Sequence, residues 1–175
     1  MIQLRGDRVL LRGFRPDEVP VALERMQTIP STEMDETAVR ERRERLERSG
    51  EPNGWEIMLA VEAEGRLVGD VQGRCPRFAM PPGVWELGIE LWDAADRGRG
   101  IGRETVELLS AYLFDREEAI RVQATTDVDN ASMRRVLEVL GFGLEGVLRG
   151  FMPDAGGPPR DYAMYGVTRA EWGAR

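Results

Sequence analysis

Residues 85–112 read WELGIELWDAADRGRGIGRETVELLSAY, and the rest of the chain is organised around them. Trp85 to Trp92 is rich in aromatic and aliphatic residues and predicts a strand. Arg97-Gly98-Arg99-Gly100-Ile101-Gly102 follows. Ile101, Thr105, Leu108, Leu109 and Tyr112 then recur at helical spacing. Glycines between a strand and a helix let backbone N–H groups converge without Cβ clashes. The first helical turn has N–H groups with no internal partner, and its dipole favours negative charge. The stretch therefore predicts an anion site, most naturally for phosphate or pyrophosphate. Arg97, Arg99 and Arg103 add charge-assisted donors.

Two common phosphate motifs are excluded. GxxxxGK[ST] is absent, and GxGxxG fails because the third glycine, Gly102, comes one residue early. A dinucleotide-binding strand is also apolar on both faces, whereas this one carries Glu86 and Glu90. The spacing Arg97-x-x-Gly100-x-Gly102 instead resembles the (Q/R)xxGx(G/A) pyrophosphate loop of the GNAT superfamily, the acyl-CoA-dependent N-acyltransferases.

A chain of 175 residues is long enough for one domain, 1–175, with a sizeable core. Hydrophobic residues make up 42% and charged residues 31%, the balance of a soluble globular protein. A net charge of -7 argues against nucleic acid and mildly favours a basic or amine partner. There is one cysteine, Cys75, so neither a disulfide framework nor a cysteine metal site is expected. Histidine is absent, which removes Ser-His and Cys-His catalysis and histidine zinc sites, and no metal is expected. Charges interrupt the N-terminal MIQLRGDRVLL, so it does not read as a signal peptide. No 18-residue apolar run offers a membrane span, and a cytoplasmic location is the expectation.

Outward from the central stretch, Arg8 to Phe14 reads as a strand, and a helix starts at Pro16 and carries Val19 to Met26. Thr28 to Asp35 reads as a loop, and Glu36 to Arg48 as a charged helix with Val39 and Leu46 inward. Trp55 to Ala63 and Leu67 to Arg74 flank the hairpin connection Glu64-Gly65-Arg66. The proline-rich Pro76 to Gly83 delivers the chain to the central strand, Val84 to Trp92. Beyond its helix, expected to start near Gly98, come a strand, Ala119 to Thr126, and a cap within Asp127 to Asn130. A helix with Met133, Val136, Leu137 and Leu140 on one face ends at Gly141. Phe142 to Met152 and Arg160 to Val167 form a last strand pair around Asp154 to Pro159. The order βαα-βββ-α-β-α-ββ predicts an α+β fold, a mixed and mostly antiparallel sheet with helices on both faces.

That order is similar to the GNAT fold, and the resemblance extends to more motifs. Asn130-Ala131-Ser132 with Arg135-Val136-Leu137-Glu138 and Leu140-Gly141-Phe142 resembles the family's NxxSxRVLEKxGF motif. Glu145-Gly146, Leu148-Arg149, Arg160-Asp161 and Glu171-Trp172 are similar to the ending of the RimJ/RimL-like branch. The resemblance implies acetyl-CoA as co-substrate. The central strand would splay from its neighbour near Glu90, Leu91 and Trp92, where backbone groups meet the acetyl and pantetheine portions. The Leu91 N–H is expected at the thioester oxygen, a fixed oxyanion donor. Arg97, Gly98, Arg99, Gly100, Ile101 and Gly102 would hold the pyrophosphate. Asn130 matches the asparagine that bonds the pantetheine arm, a role compatible with its reading as a helix cap. The helix Glu36 to Arg48 would border the substrate entrance.

Acetyl transfer to an amine needs a polarised thioester, a neutral amine and a protonated leaving thiolate, and no covalent enzyme intermediate. Glu86 matches a catalytic glutamate of some family members. Period-two alternation places it on one strand face with Glu90 and Trp92. It is either the base, or a charge that binds the substrate ammonium or forms a salt bridge with a neighbour, and Glu90 is the second candidate for the base. The family's hydroxyl positions on the last helix hold Met133 and Leu137. The acid is then Tyr165 or Tyr162, or solvent. The expected function is N-acetyl transfer from acetyl-CoA to a primary amine, a protein N-terminus or a small molecule, with direct attack in a ternary complex. The alternative is a non-catalytic acyl-CoA-binding module. Oligomeric state stays open, with a homodimer among the options.

Overall fold

The computed structural model describes residues 1–27, 35–76, 79–154 and 156–175. Eight strands, β1 (Leu4–Arg5), β2 (Val9–Arg12), β3 (Glu56–Ala63), β4 (Arg66–Arg74), β5 (Val84–Leu91), β6 (Arg121–Asp127), β7 (Gly143–Met152) and β8 (Arg160–Thr168), form one sheet. Its order is β1-β2-β3-β4-β5-β6-β8-β7. All neighbouring strands are antiparallel except β5 and β6. Five helices, α1 (Val19–Gln27), α2 (Glu36–Glu47), α3 (Ile101–Asp115), α4 (Ala131–Val139) and α5 (Arg169–Gly173), cover it. The fold is the expected mixed α/β sheet with helices on both faces.

Alternation along the strands sorts side chains between two cores. Ile57, Leu59 and Val61 of β3, Val71 of β4 and Trp85 and Leu87 of β5 face α3, which contributes Ile101, Val106, Leu109, Leu113 and Phe114. Met58 and Ala60 of β3 face the other way, onto Val19, Ala22, Leu23 and Met26 of α1 and Leu46 of α2. Fully burying a leucine or phenylalanine stabilises by about 1.5–3 kcal/mol, so the α3 side carries most of the apolar stabilisation. α2 buries only Leu46, and its start is capped by Asp35, which accepts from the Ala38 N–H at 2.8 Å. No helix among the described residues is long and apolar enough to cross a membrane.

The structure departs from the sequence reading at several ends. α1 starts at Val19 rather than at Pro16, and Glu18 just before it accepts from the Arg12 guanidinium and the Arg15 N–H. α3 starts at Ile101, since Gly98 and Gly100 take positive φ and cannot enter a right-handed helix. One strand and one α-helix were not expected. β1 is a two-residue edge too short to carry a pattern. α5 is one turn closed by a capping box, with Thr168 and Glu171 bonding each other's backbone N–H. Thr168-x-x-Glu171 is a signature that could have revealed it. The loops expected over Thr28 to Asp35, Pro76 to Gly83 and Asp154 to Pro159 lie partly outside the described residues.

Candidate active site

The parallel pairing of β5 with β6 runs only from Val84–Arg121 to Leu87–Ala124. Beyond it the two strands follow different neighbours. β5 stays on β4 as far as Leu91–Gly69, and β6 stays on β8 as far as Asp127–Tyr162. The sheet therefore splits after Leu87, and the backbone of Gly88 to Leu91 borders a cleft. The side of β5 that faces this cleft follows from alternation. The Trp92 N–H donates to the Val68 carbonyl of the β4 side at 3.1 Å. In an antiparallel ladder the next residue points the opposite way. The Leu91 N–H and C=O thus turn toward the cleft. β4 approaches closely at this point: a Cβ on Gly69 would sit 2.0 Å from the Glu90 carbonyl oxygen.

A short 3-10 turn, Ala94–Asp96, follows β5 and leads into the glycine loop. Asp96 is 2% exposed and pairs with Arg66 at 2.9 Å and Arg99 at 3.5 Å. Arg99 also pairs with Glu64. Arg97 donates to the Leu91 carbonyl at 3.1 Å. Arg99 thus braces the loop, while Arg97 ties it to the strand end. Gly98 and Gly100 have φ of 72° and 84°, where a side chain is strained even though space is open. The first backbone bond into the helix runs from the Glu104 N–H to the Gly100 carbonyl at 3.1 Å. The N–H groups of Ile101, Gly102 and Arg103 therefore precede any intrahelical acceptor, the geometry of an anion site. An open depression of about 570 Å³ lies beside the loop, lined by Arg8, Gly98, Arg99, Gly100 and Arg103 among others.

Asn130 caps α4, its Oδ1 accepting from the Met133 N–H at 3.1 Å. The side chain is exposed, and its amide N–H groups are still available for a carbonyl acceptor. Leu137 is fully buried and Met133 packs on the same core, so the two hydroxyl positions of the family are core positions here. Ser132 is exposed on α4.

Glu86, Glu90 and Trp92 share the strand face turned toward α1 and α2. Glu86 sits between Arg74, at 3.4 Å, and the Gln123 amide, at 3.4 Å. Glu90 is half-buried, and this burial raises its carboxyl above the usual range against the pull of Arg97. Trp92 packs on the α1 core, and its indole donates to Asp70 at 3.1 Å. Asp70 was not anticipated from sequence. An aspartate inside the strand run Leu67 to Arg74 was the available signal, since strands are depleted in it. Asp96 was missed because its role depends on Arg66 from another strand.

Tyr165 is a correction. It lies on the opposite face of the sheet, fully buried among the α3 and α4 core residues. Its hydroxyl donates to Glu138 at 3.0 Å and accepts from Arg134 at 3.1 Å. Both hydrogen-bonding capacities are used, so the geometry separates it from Glu86 and Glu90. Tyr162 is three residues away and therefore on the other face, opposite Asp127 and packed 5.5 Å from the Phe151 ring. On the Glu86 side of the sheet a further cavity of about 430 Å³ opens between α2 and the start of β3, lined by Glu41, Glu44, Arg45, Glu51, Trp55 and Glu56 among others.

Solved structures share this architecture. The chain aligns with Mycobacterium smegmatis RimJ, solved with a CoA disulfide, at 21% identity and a TM-score of 0.75, covering 97% of this chain and 87% of that one. For RimL, a ribosomal L7/L12 alpha-N-protein acetyltransferase solved with coenzyme A, the identity is 18%, the TM-score 0.76 and the coverage 95% and 98%. For the ribosomal-protein-S5-alanine acetyltransferase of Vibrio fischeri the values are 19%, 0.78, 98% and 99%. No curated protein matches the chain by sequence. The family model described as an acetyltransferase (GNAT) domain matches residues 8–143. Because that match runs from the start of β2 through the glycine loop to the first residue of β7, the chain belongs to the GNAT acetyltransferase family.

Proposed function

We propose that this acetyl-CoA-dependent acyltransferase acts on a primary amine, by direct attack in a ternary complex. The observation that carries the reading is the split after Leu87. It turns the Leu91 N–H toward the cleft and leaves Glu90 on the neighbouring position of the same strand. A donor fixed at the thioester oxygen stabilises the charge that develops there. The glycine loop and the α3 N-terminus would hold the pyrophosphate, with Arg97 adding charge, and the Asn130 amide would hold the pantetheine arm.

In the proposed reaction the amine nitrogen forms a bond to the carbonyl carbon, and the carbon–sulfur bond breaks. One proton leaves the amine and one reaches the departing thiolate. In this reading Glu90, rather than Glu86, takes the first. It adjoins Leu91, and burial has already raised its affinity for a proton. Glu86 lies four residues back, about 13 Å along the strand, and is clamped by Arg74 and Gln123. Its partial exposure and its place at the last paired rungs before the split support a second reading, in which it holds the incoming ammonium. The second proton would come from Tyr162 or solvent. The likeness to RimJ, RimL and the S5 alanine acetyltransferase supports a protein N-terminus as acceptor, and a small-molecule amine is the competing class.

The test is release of free CoA from acetyl-CoA, followed with a thiol reagent. The panel holds short peptides with free N-termini, the same peptides N-terminally blocked, and small polyamines and aminoglycosides. Turnover with free but not blocked peptides supports the reading. Tight acetyl-CoA binding with no turnover on any amine supports a binding module instead.

A further inference from the structure

Asp70 plays no part in the reaction just described, yet it lies under the face on which that reaction would run. It is 2% exposed. β4 places it between Ala60 of β3 and Glu90 of β5, directly opposite both. Its Oδ2 accepts from the Trp92 indole at 3.1 Å, and its Oδ1 lies 3.4 Å from the Gln72 amide nitrogen. Among the described residues no ion pair reaches it. Directly opposed residues of neighbouring strands have Cβ atoms only about 4.5–5.5 Å apart, and like charges there repel. A neutral asparagine would satisfy the same indole. The carboxyl therefore brings a charge that its hydrogen bonds do not require.

We propose that Asp70 is a positioning residue for acyl transfer: it pins Trp92 beside the cleft and, facing Glu90, joins the two carboxyls into one coupled proton-binding unit. The proposal rests on Glu90 as the proton acceptor. The groups around the pair are few. Arg42 of α2 acts on Asp70 from a distance, and Arg97 acts on Glu90. Arg25 of α1 pairs with Asp93, next to Trp92. Ala60 on β3 brings no charge. Burial first, and then the charge of Glu90, push the Asp70 carboxyl up to about 6, against the indole and amide hydrogen bonds and Arg42. In such a pair the repulsion appears in the loss of the second proton. While Asp70 is ionised, Glu90 takes up a proton more readily. Once Asp70 is protonated, that help is gone.

The first test needs no turnover. In protein labelled with ¹⁵N-tryptophan, the Trp92 indole resonance, assigned with Trp92→Phe, is followed against pH. It is expected to titrate with a midpoint near the value of about 6 set for Asp70. Asp70→Asn should abolish that titration while leaving the peak dispersed. Glu90→Gln should lower the midpoint by about 0.5 pH unit or more, because a negative neighbour has been removed. An indole that ignores pH, or a midpoint that Glu90→Gln leaves in place, overturns the coupling. The second test uses the pH profile of kcat. Asp70→Asn should move its acid limb to lower pH with acetyl-CoA affinity unchanged. An unmoved limb reduces Asp70 to packing and overturns the proposal. Failure of the wild type to release CoA with any amine sinks the transfer reading separately, and the indole titration still decides the coupling.

Discussion

Arg97 donates to the carbonyl oxygen of Leu91 at 3.1 Å. The bond joins the first residue of the glycine loop to the last residue of β5, so it links the loop to the edge of the cleft. In a strand the N–H and C=O of a residue point to the same side. Arg97 therefore occupies the carbonyl of the residue whose N–H is proposed for the thioester oxygen. Arg97→Ala should weaken acetyl-CoA binding, through the lost charge and a loosened strand end. It should also lower kcat, which Arg103→Ala, with its side chain further along α3, should not do. Calorimetry and steady-state kinetics on the two variants check this.

Gly100 gives the sharpest test of the loop. Its φ of 84° disfavours any side chain, and the residue caps α3. Gly100→Ala adds strain alone, whereas Gly100→Asp adds strain and a negative charge beside the proposed pyrophosphate. Gly100→Asp should weaken acetyl-CoA binding by well over tenfold, above about 1.4 kcal/mol. Gly100→Ala should have a smaller effect. Unchanged affinity in a folded Gly100→Asp protein would place the cofactor elsewhere.

The two cleft-side glutamates differ in surroundings, and their variants should differ too. Glu90→Gln removes the proposed base, and base contributions are typically about 10²–10⁴-fold. Its kcat at neutral pH should fall by about that range with acetyl-CoA affinity nearly constant. Raising the pH should restore part of the rate, as more of the amine is already neutral. Glu86→Gln should raise KM for the amine and spare kcat. The reverse pattern would return the base role to Glu86, the first candidate from sequence.

Much of this was legible in the sequence because it is local. The glycine loop, the Asn130 cap and the C-terminal stop at Gly141 each depend on a few consecutive residues. The period-two placement of Glu86 with Glu90 and Trp92 also survives in the structure, since alternation needs no knowledge of neighbours. What was not legible depends on strand register. Tyr165 was an acceptable acid in sequence, but pairing β8 with β6 at Tyr165–Ala124 turns it onto the α4 side. Asp70 acquires its meaning only when Glu90 is opposite and Trp92 folds back onto it. Asp96 needs Arg66 from a different hairpin strand.

The face assignment of the tyrosines is itself testable. Tyr165→Phe removes a buried hydroxyl that bonds both Glu138 and Arg134. It should cost about 1–3 kcal/mol in denaturant unfolding and leave kcat within a few-fold. Tyr162→Phe should leave stability nearly unchanged. If Tyr162 protonates the thiolate, its loss lowers kcat. If solvent does so, neither tyrosine affects kcat.

The last prediction concerns what Asp70 costs the fold. Its carboxyl has an ordinary value of 3.8 and is pushed up to about 6 in the folded protein, chiefly by burial. Between those values the folded state binds more protons than the unfolded state, so stability falls as pH rises. Below 3.8 both states are protonated and the group is neutral in its effect. Above about 6 both are ionised and the full penalty is present. A tenfold change in proton affinity is worth about 1.4 kcal/mol, so the penalty near neutral pH is about 3 kcal/mol. Asp70→Asn keeps an acceptor for the Trp92 indole and has no charge to desolvate. It should therefore be more stable than the wild type at pH 7, by up to about that amount, with the advantage shrinking between pH 6 and 4. Denaturant unfolding across that range measures it directly. A variant that gains stability while its kcat profile moves to lower pH would show an ionisable group kept at the expense of the fold, as expected where stability and activity oppose each other. A stability difference between Asp70→Asn and the wild type that is the same at both ends of the range would mean that Asp70 is not desolvated as its burial implies, and the coupling to Glu90 would lose its physical basis.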